Sequence, residues 1–184
     1  MIKAILKYLR NTKDQWLVCG ESDLKLVGFT DSSFQSDHDD SRSVSGYIFT
    51  LNGGAICWKS SKQHTVADSV CEAEYIAASD AAKEAVWLRK FINELGVAPS
   101  LDGPVLLYCD STGAIPQAKD SKVHQRTNHI LCYFHLVWEI MDRGDIDLQK
   151  IDEKENLADL FTKALTIKEF DNHKSKMGIR FCIE

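Results

Sequence analysis

The sequence predicts an α/β fold built on a mixed β-sheet, and three stretches carry that prediction. Gly46 to Lys59 holds two alternating apolar runs joined at Asn52-Gly53-Gly54, a hairpin signal because both turn positions tolerate positive φ. Val105-Leu106-Leu107-Tyr108-Cys109 is a continuous apolar run of the kind found in parallel strands covered on both faces. Between them, Val70 to Leu95 shows helical spacing of apolar residues, opened by Ser69-Val70-Cys71-Glu72 and closed by Gly96.

The elements follow in chain order. Ile2, Ile5, Leu6 and Leu9 recur at helical spacing among Lys3, Lys7 and Arg10, which predicts a short amphipathic helix stopping at Asn11-Thr12-Lys13-Asp14. Trp16 to Cys19 reads as a strand and Gly20 to Asp23 as a turn. Leu24 to Phe29 reads as a buried strand that Thr30-Asp31-Ser32-Ser33 ends with turn chemistry. Asp31 is therefore expected at a strand mouth, part solvated, either capping the turn or holding a metal from rigid backbone. Gln35 to Ser45 is polar and reads as a loop, and the hairpin after it completes a three-stranded antiparallel meander.

In the long helix Glu72 is expected to cap the helix start, while Glu74 lies about 200° further round and is expected to face the sheet. The strand Val105–Cys109 ends at Asp110, where Ser111 to Ala114 open a helix. A second strand thus delivers a carboxylate to a strand-to-helix turn, the place where ligands bind in open α/β sheets. Ile130 to Arg143 predicts an aromatic-rich helix ending at Gly144, and Asp145 to Ile151 alternates as a strand. Glu155 to Thr162 begins a final helix with Asp159 in its first turns. From Ile167 onward no strong pattern is visible.

The 184 residues suffice for one ordinary domain with a short appendage, and 44% hydrophobic residues support a real core. No apolar run approaches the roughly 20 residues needed to cross a bilayer, so no membrane partner is expected. Six cysteines without CxxC spacing indicate neither a zinc site nor a disulfide framework, and reduced, intracellular thiols are the expectation, with cytoplasm and nucleus not separated by the sequence. A net charge of −5 argues against a stand-alone tight nucleic-acid binder. Against that background Lys119, Lys122, His124, Arg126 and His129 concentrate basic residues in one segment. They form either a phosphate-contacting patch or a solvated loop and helix start.

Taken in order, the strings GFTDSSFQSDHDDSRSVSGYIFTLNGGAICWKSSKQ, SVCEAEYIAASDAAKEAVWLRKFINELG, LYCDSTGAI, HQRTNHI and NLADLFTKAL resemble the ribonuclease H region of copia-type retrotransposon polyproteins. The resemblance spans roughly Leu24 to Leu165. It implies a ribonuclease H-like fold, a mixed five-stranded sheet with helices on both faces. It divides the chain into a 1–22 segment joining a reverse transcriptase to this domain, a 23–166 ribonuclease H-like domain and a 167–184 C-terminal tail. Residue by residue it implies that Asp31, Glu74, Asp110 and Asp159 are catalytic and hold two Mg²⁺ ions, with Mn²⁺ as a substitute. The implied activity is hydrolysis of the RNA strand of an RNA/DNA hybrid, with a reverse transcriptase domain of the parent polyprotein as partner. An integrase-like order of Asp, Asp, Glu is disfavoured, because Asp145 or Ile146 stands where its Glu belongs. The serious alternative is a retroelement remnant that binds nucleic acid or a partner protein without cutting.

Overall fold

The computed structural model describes residues 2–20, 24–37, 39–96, 101, 103–111 and 131–181. Its centre is a five-stranded sheet in the order β4-β3-β2-β5-β6, formed by β2 (Leu26–Ser33), β3 (Val44–Leu51), β4 (Gly54–Lys62), β5 (Val105–Cys109) and β6 (Ile146–Lys150). The first three pair antiparallel and β5 and β6 run parallel to β2, so the mixed five-stranded sheet is as expected. The Asn52-Gly53 turn closes the hairpin with both residues at positive φ, 53° and 77°.

Phe49 and Ile48 show how the sheet serves two cores. Both are fully buried neighbours on β3, and strand alternation sends them to opposite faces. Phe49 joins Leu107, Leu148, Val137 and the buried stripe of α2 (Val70–Leu95), against which α3 (Leu131–Asp142) also packs. Ile48 joins Ala55, Leu157 and Met177 on the other face. The approach of α2 to the sheet is close because its inner stripe is mostly alanine, with Ala73, Ala77, Ala81, Ala82 and Ala85 all buried. At its ends α2 follows the predicted chemistry. The Ser69 hydroxyl accepts from the Glu72 amide at 3.2 Å, and Gly96 closes the helix at φ 65°. The Glu72 carboxylate accepts from the Asp68 amide at 2.7 Å, one residue upstream of the expected partner. The expected apolar positions Val70, Phe91 and Leu95 lie exposed, and Phe91 stacks on Trp87 instead of joining the core.

Two local expectations are corrected. Thr30 to Ser33 do not end β2: they pair residue for residue with Tyr47 to Val44, so partner strand geometry overrides the turn chemistry of Asp31, Ser32 and Ser33. The segment around Asp159 is not an α-helix but a pair of 3₁₀ turns, Glu153–Glu155 and Leu157–Phe161, drawn onto the sheet by contacts described below.

The stretch from Ile167, patternless in the sequence, folds as α4 (Ile167–Lys176) and β7 (Ile179–Phe181). A capping box of Thr166 and Glu169 opens α4. Strand β7 pairs antiparallel with β1 (Gln15–Leu17), the strand that follows α1 (Ile2–Asn11). Among the described residues five cysteines are free and no helix is long and apolar enough to cross a membrane.

Because Met177 is 8% exposed and packs with Ile48, Ala55 and Leu157, the C-terminal stretch contributes to the core. Met177→Ala should cost about 2 kcal/mol, the lower end for deleting a buried methionine side chain. Urea unfolding measures it, and a midpoint unmoved by the substitution would show that residues 167–181 add nothing to the stability of the sheet.

Candidate metal centre

Strand register makes the first contact of the site. Val27, Gly28 and Phe29 of β2 lie beside Leu106, Leu107 and Tyr108 of β5. Carried two residues further, that register sets Asp31 level with Asp110, on strands spaced about 4.8 Å apart. The sequence predicts a part-solvated Asp31, yet it is 1% exposed, because β2 continues through it and pairs it with Gly46 of β3.

The third carboxylate arrives from the 3₁₀ turn Leu157–Phe161. Asn156, fully buried, caps this turn by accepting from the Ala158 amide at 3.1 Å and donates its side-chain N–H to the Thr30 carbonyl at 3.0 Å. Ser60 donates its hydroxyl to the Phe161 carbonyl at 2.6 Å. Gly46 lets the turn approach: a Cβ there would stand 2.7 Å from Thr162 Cγ2 and 2.8 Å from Phe161 Cβ. Three ties and one missing side chain therefore place Asp159 over Asp31. Asp31, Asp110 and Asp159 each offer a carboxylate oxygen, and all three lie within 4.8 Å of one another.

Glu74, one turn into α2, is the fourth expected residue and is 4% exposed. It is not part of that close group. Its Oε1 accepts from the amide and hydroxyl of Ser32 at 3.2 and 2.9 Å, which fixes the carboxylate beside Asp31. Gln63 ties the same helical turn to the sheet, donating to Ser45 Oγ at 2.7 Å and to the Ala73 carbonyl at 2.9 Å. Glu72 instead bonds at the helix start.

The electrostatics follow from crowding. Burial, then the charges of Asp31 and Asp110, push Glu74 up to about 8. Burial and Asp31 push Asp159 up to about 7, against the opposing pull of Lys163. Burial also raises Asp31 and Asp110, less completely, because Thr162 and Lys163 favour the charged form of the first and Lys163 that of the second. Two buried oxygens, Asp31 Oδ1 and Glu74 Oε2, accept no hydrogen bond. Asp31 Oδ1 faces the Lys163 ammonium at 3.4 Å, and hard anionic oxygens gathered in the Asp31, Asp110 and Asp159 group fit a divalent cation such as Mg²⁺.

Two neighbours escape a reading of the sequence. Thr162 donates its hydroxyl to Asp31 Oδ2. The Lys163 ammonium stands 3.4 Å from Asp31, 3.2 Å from Asp159, 3.9 Å from Asp110 and 3.6 Å from Glu153. The available signal is the Asp-to-Lys spacing of four residues in DLFTK, which places the two side chains together on one helical face. The basic residues Lys119, Lys122, His124, Arg126 and His129, and the helix expected after Asp110, lie outside the described residues.

These shifts have a sign. A carboxyl whose folded-state pKa exceeds its ordinary value binds protons more tightly when folded, so its stabilising effect is complete below the ordinary value and is lost as pH rises through the raised one. For Glu74 that window runs from 4.5 to about 8, and for Asp159 from 3.8 to about 7. Metal-free protein should therefore unfold at progressively lower urea concentration as pH rises across this range. Glu74→Gln should flatten the profile above about pH 7, where Glu74 contributes more of the remaining titration than Asp159. A wild-type profile flat across the range, or an unaltered slope in Glu74→Gln, would contradict the crowding.

No family model matches the chain. It is 42% identical over 178 residues, 97% of its length, to the retrovirus-related Pol polyprotein from transposon TNT 1-94 of Nicotiana tabacum. It spans 13% of that polyprotein. Among solved structures it superposes on LC11-RNase H1 in complex with an RNA/DNA hybrid with a TM-score of 0.56 at 20% identity, covering 75% of this chain and 94% of that one. The N-terminal RNase H domain of rv2228c from Mycobacterium tuberculosis, solved as a fusion with maltose binding protein, matches with a TM-score of 0.56 at 13% identity, covering 83% and 98%. Over 97% of its length the chain is homologous to a segment of copia-type retrotransposon Pol polyproteins, and it has the ribonuclease H fold.

Proposed function

We propose that the chain is a metal-dependent ribonuclease that hydrolyses the RNA strand of an RNA/DNA hybrid. The observation that carries this reading is the convergence of Asp31, Asp110 and Asp159 within 4.8 Å, with buried Glu74 beside them. Asp31, Asp110 and Asp159 would hold divalent metal directly, with Glu74 Oε2 completing the oxygen set. When bound, Mg²⁺ or Mn²⁺ supplies Lewis acidity, easing ionisation of water and neutralising charge that develops on phosphate oxygens.

The chain's own groups do the positioning. Thr162 orients the Asp31 carboxylate, and Ser32 holds Glu74 through its amide and hydroxyl. Asp31 sits on a paired strand and Asp159 on a clamped turn, so neither has to be ordered when substrate arrives. No serine, threonine or cysteine nucleophile is needed for this chemistry. Lys119, Lys122, His124, Arg126 and His129 are proposed to contact hybrid phosphates, where positive charge would offset the acidic remainder of the chain. A reverse transcriptase domain of the same polyprotein is the proposed partner.

Asp110→Asn keeps the side chain's shape and removes a charge from the cluster. Cleavage of a labelled hybrid in millimolar Mg²⁺ or Mn²⁺ should fall about 100-fold or more, the scale on which metal-site substitutions act. The Mg²⁺-dependent rise in thermal midpoint should shrink with it. The assay is run with and without a reverse transcriptase domain in trans. Wild-type protein that binds hybrid but never cuts it, under either condition, would leave only the binding remnant.

Replacing Lys122 and Arg126 together with Ala should weaken hybrid binding and flatten its salt dependence, by about one unit of log–log slope for each phosphate that is no longer neutralised. An unchanged slope would make the segment a solvated face with no part in substrate binding.

A further inference from the structure

Among the described residues Lys163 is the cation in ion-pair range of the cluster, Lys150 acting on Asp110 from further off, and its geometry is unusual for an ordinary ion pair. Its ammonium faces four carboxylates, at 3.2 to 3.9 Å, and none of them owns it. Three of the four are the residues whose oxygens converge, so the ammonium stands against the oxygens that a divalent ion would use. Lys163 follows two residues after the 3₁₀ turn that carries Asp159, and that turn is fixed to the sheet by Asn156, Ser60 and the close approach at Gly46. The positive charge is thus delivered with the acid it faces. An ammonium and a divalent cation repel and cannot share the same oxygens.

The fourth partner differs from the others. The side chain of Glu153 is 72% exposed, against 1%, 7% and 15% for Asp31, Asp159 and Asp110, and it lies on the solvent side of the ammonium. Lysine has a long flexible stem with rotatable donors, so its head group can leave the buried oxygens while keeping an ionic partner.

We propose that Lys163 is a tethered counter-cation, offsetting part of the charge of Asp31, Asp110 and Asp159 in the metal-free protein and swinging out to Glu153 when a divalent ion binds. This rests on the metal-site reading above. It makes Lys163 a determinant of metal affinity and of the stability of the metal-free fold, separate from any contact with substrate.

The test uses the full chain as wild type, Lys163→Met and Lys163→Arg, with Mn²⁺ binding followed by calorimetry and thermal midpoints recorded in chelator and in saturating Mn²⁺. Lys163→Met should bind Mn²⁺ roughly tenfold tighter or better, since one positive charge leaves the cluster. Its midpoint in chelator should fall by about 3 °C or more. In saturating Mn²⁺ it should equal or exceed the wild type, whereas Lys163→Arg, which keeps the charge, should keep weak binding. In the wild type, the Lys163 Cε resonance should shift on saturation with Mg²⁺, a readout that needs no variant to fold. A Lys163→Met midpoint lowered equally with and without metal, with Mn²⁺ affinity unchanged, would overturn the proposal and make Lys163 a permanent strut. So would an unmoved Cε resonance in metal-saturated wild type. Absence of Mn²⁺ and Mg²⁺ binding in the wild type and both variants would overturn the metal-site reading together with this one.

Discussion

Like charges do not gather without work being done on them. Three carboxylates within 4.8 Å, with a fourth buried alongside, oppose folding unless protons, an internal cation or a bound metal relieve them. The extended run through Thr30 to Ser33, the 3₁₀ turn that carries Asp159 and the missing side chain at Gly46 all support that arrangement. Burial makes the repulsion stronger by removing water, and it also makes any compensating cation more effective. The cluster is therefore both the most costly part of the molecule and the part with the strongest affinity for positive charge.

The supports come from different elements and act on different acids. Parallel register between β2 and β5 aligns Asp31 with Asp110 without any side-chain contact. Asn156 and Gly46 act on Asp159, one by tying its turn to the Thr30 carbonyl and the other by omitting the atom that would hold the turn away. Ser32 acts on Glu74 from the strand beneath it. Failure of any one would displace a single carboxylate and leave the others in place, so the site is assembled from separately specified parts held by a common sheet.

How far the fold is legible in the sequence depends on whether the signal is local. The Asn52-Gly53 hairpin, the Ser69 cap and Gly96 stop of α2, and the apolar run of β5 state their structure in consecutive residues, and the fold follows them. Thr30 to Ser33 carry turn residues but are held extended by pairing with Val44 to Tyr47, so local chemistry misstates the exposure of Asp31. Asp159 is marked by resemblance while its 3₁₀ geometry is not, because that geometry comes from Asn156 reaching a carbonyl 126 residues earlier. In residues 167–181 the Thr166 and Glu169 capping box is a local sign of α4, whereas β7 has none because it gains its order from β1 near the opposite end of the chain. Lys163 is hidden for another reason: its role arises from acids on other elements as well as its own, and its neighbours in sequence name only Asp159.

The pairing of β1 with β7 has an architectural consequence. Gln15 lies opposite Phe181 and Leu17 opposite Ile179, so the two strands that bracket the five-stranded sheet in sequence lie side by side and antiparallel. The sheet and its acidic cluster are carried between them, like a bead closed at its neck. A force drawing the start of β1 away from the end of β7 would unzip this three-residue ladder from its Gln15–Phe181 end before it reached the strands that carry the acids.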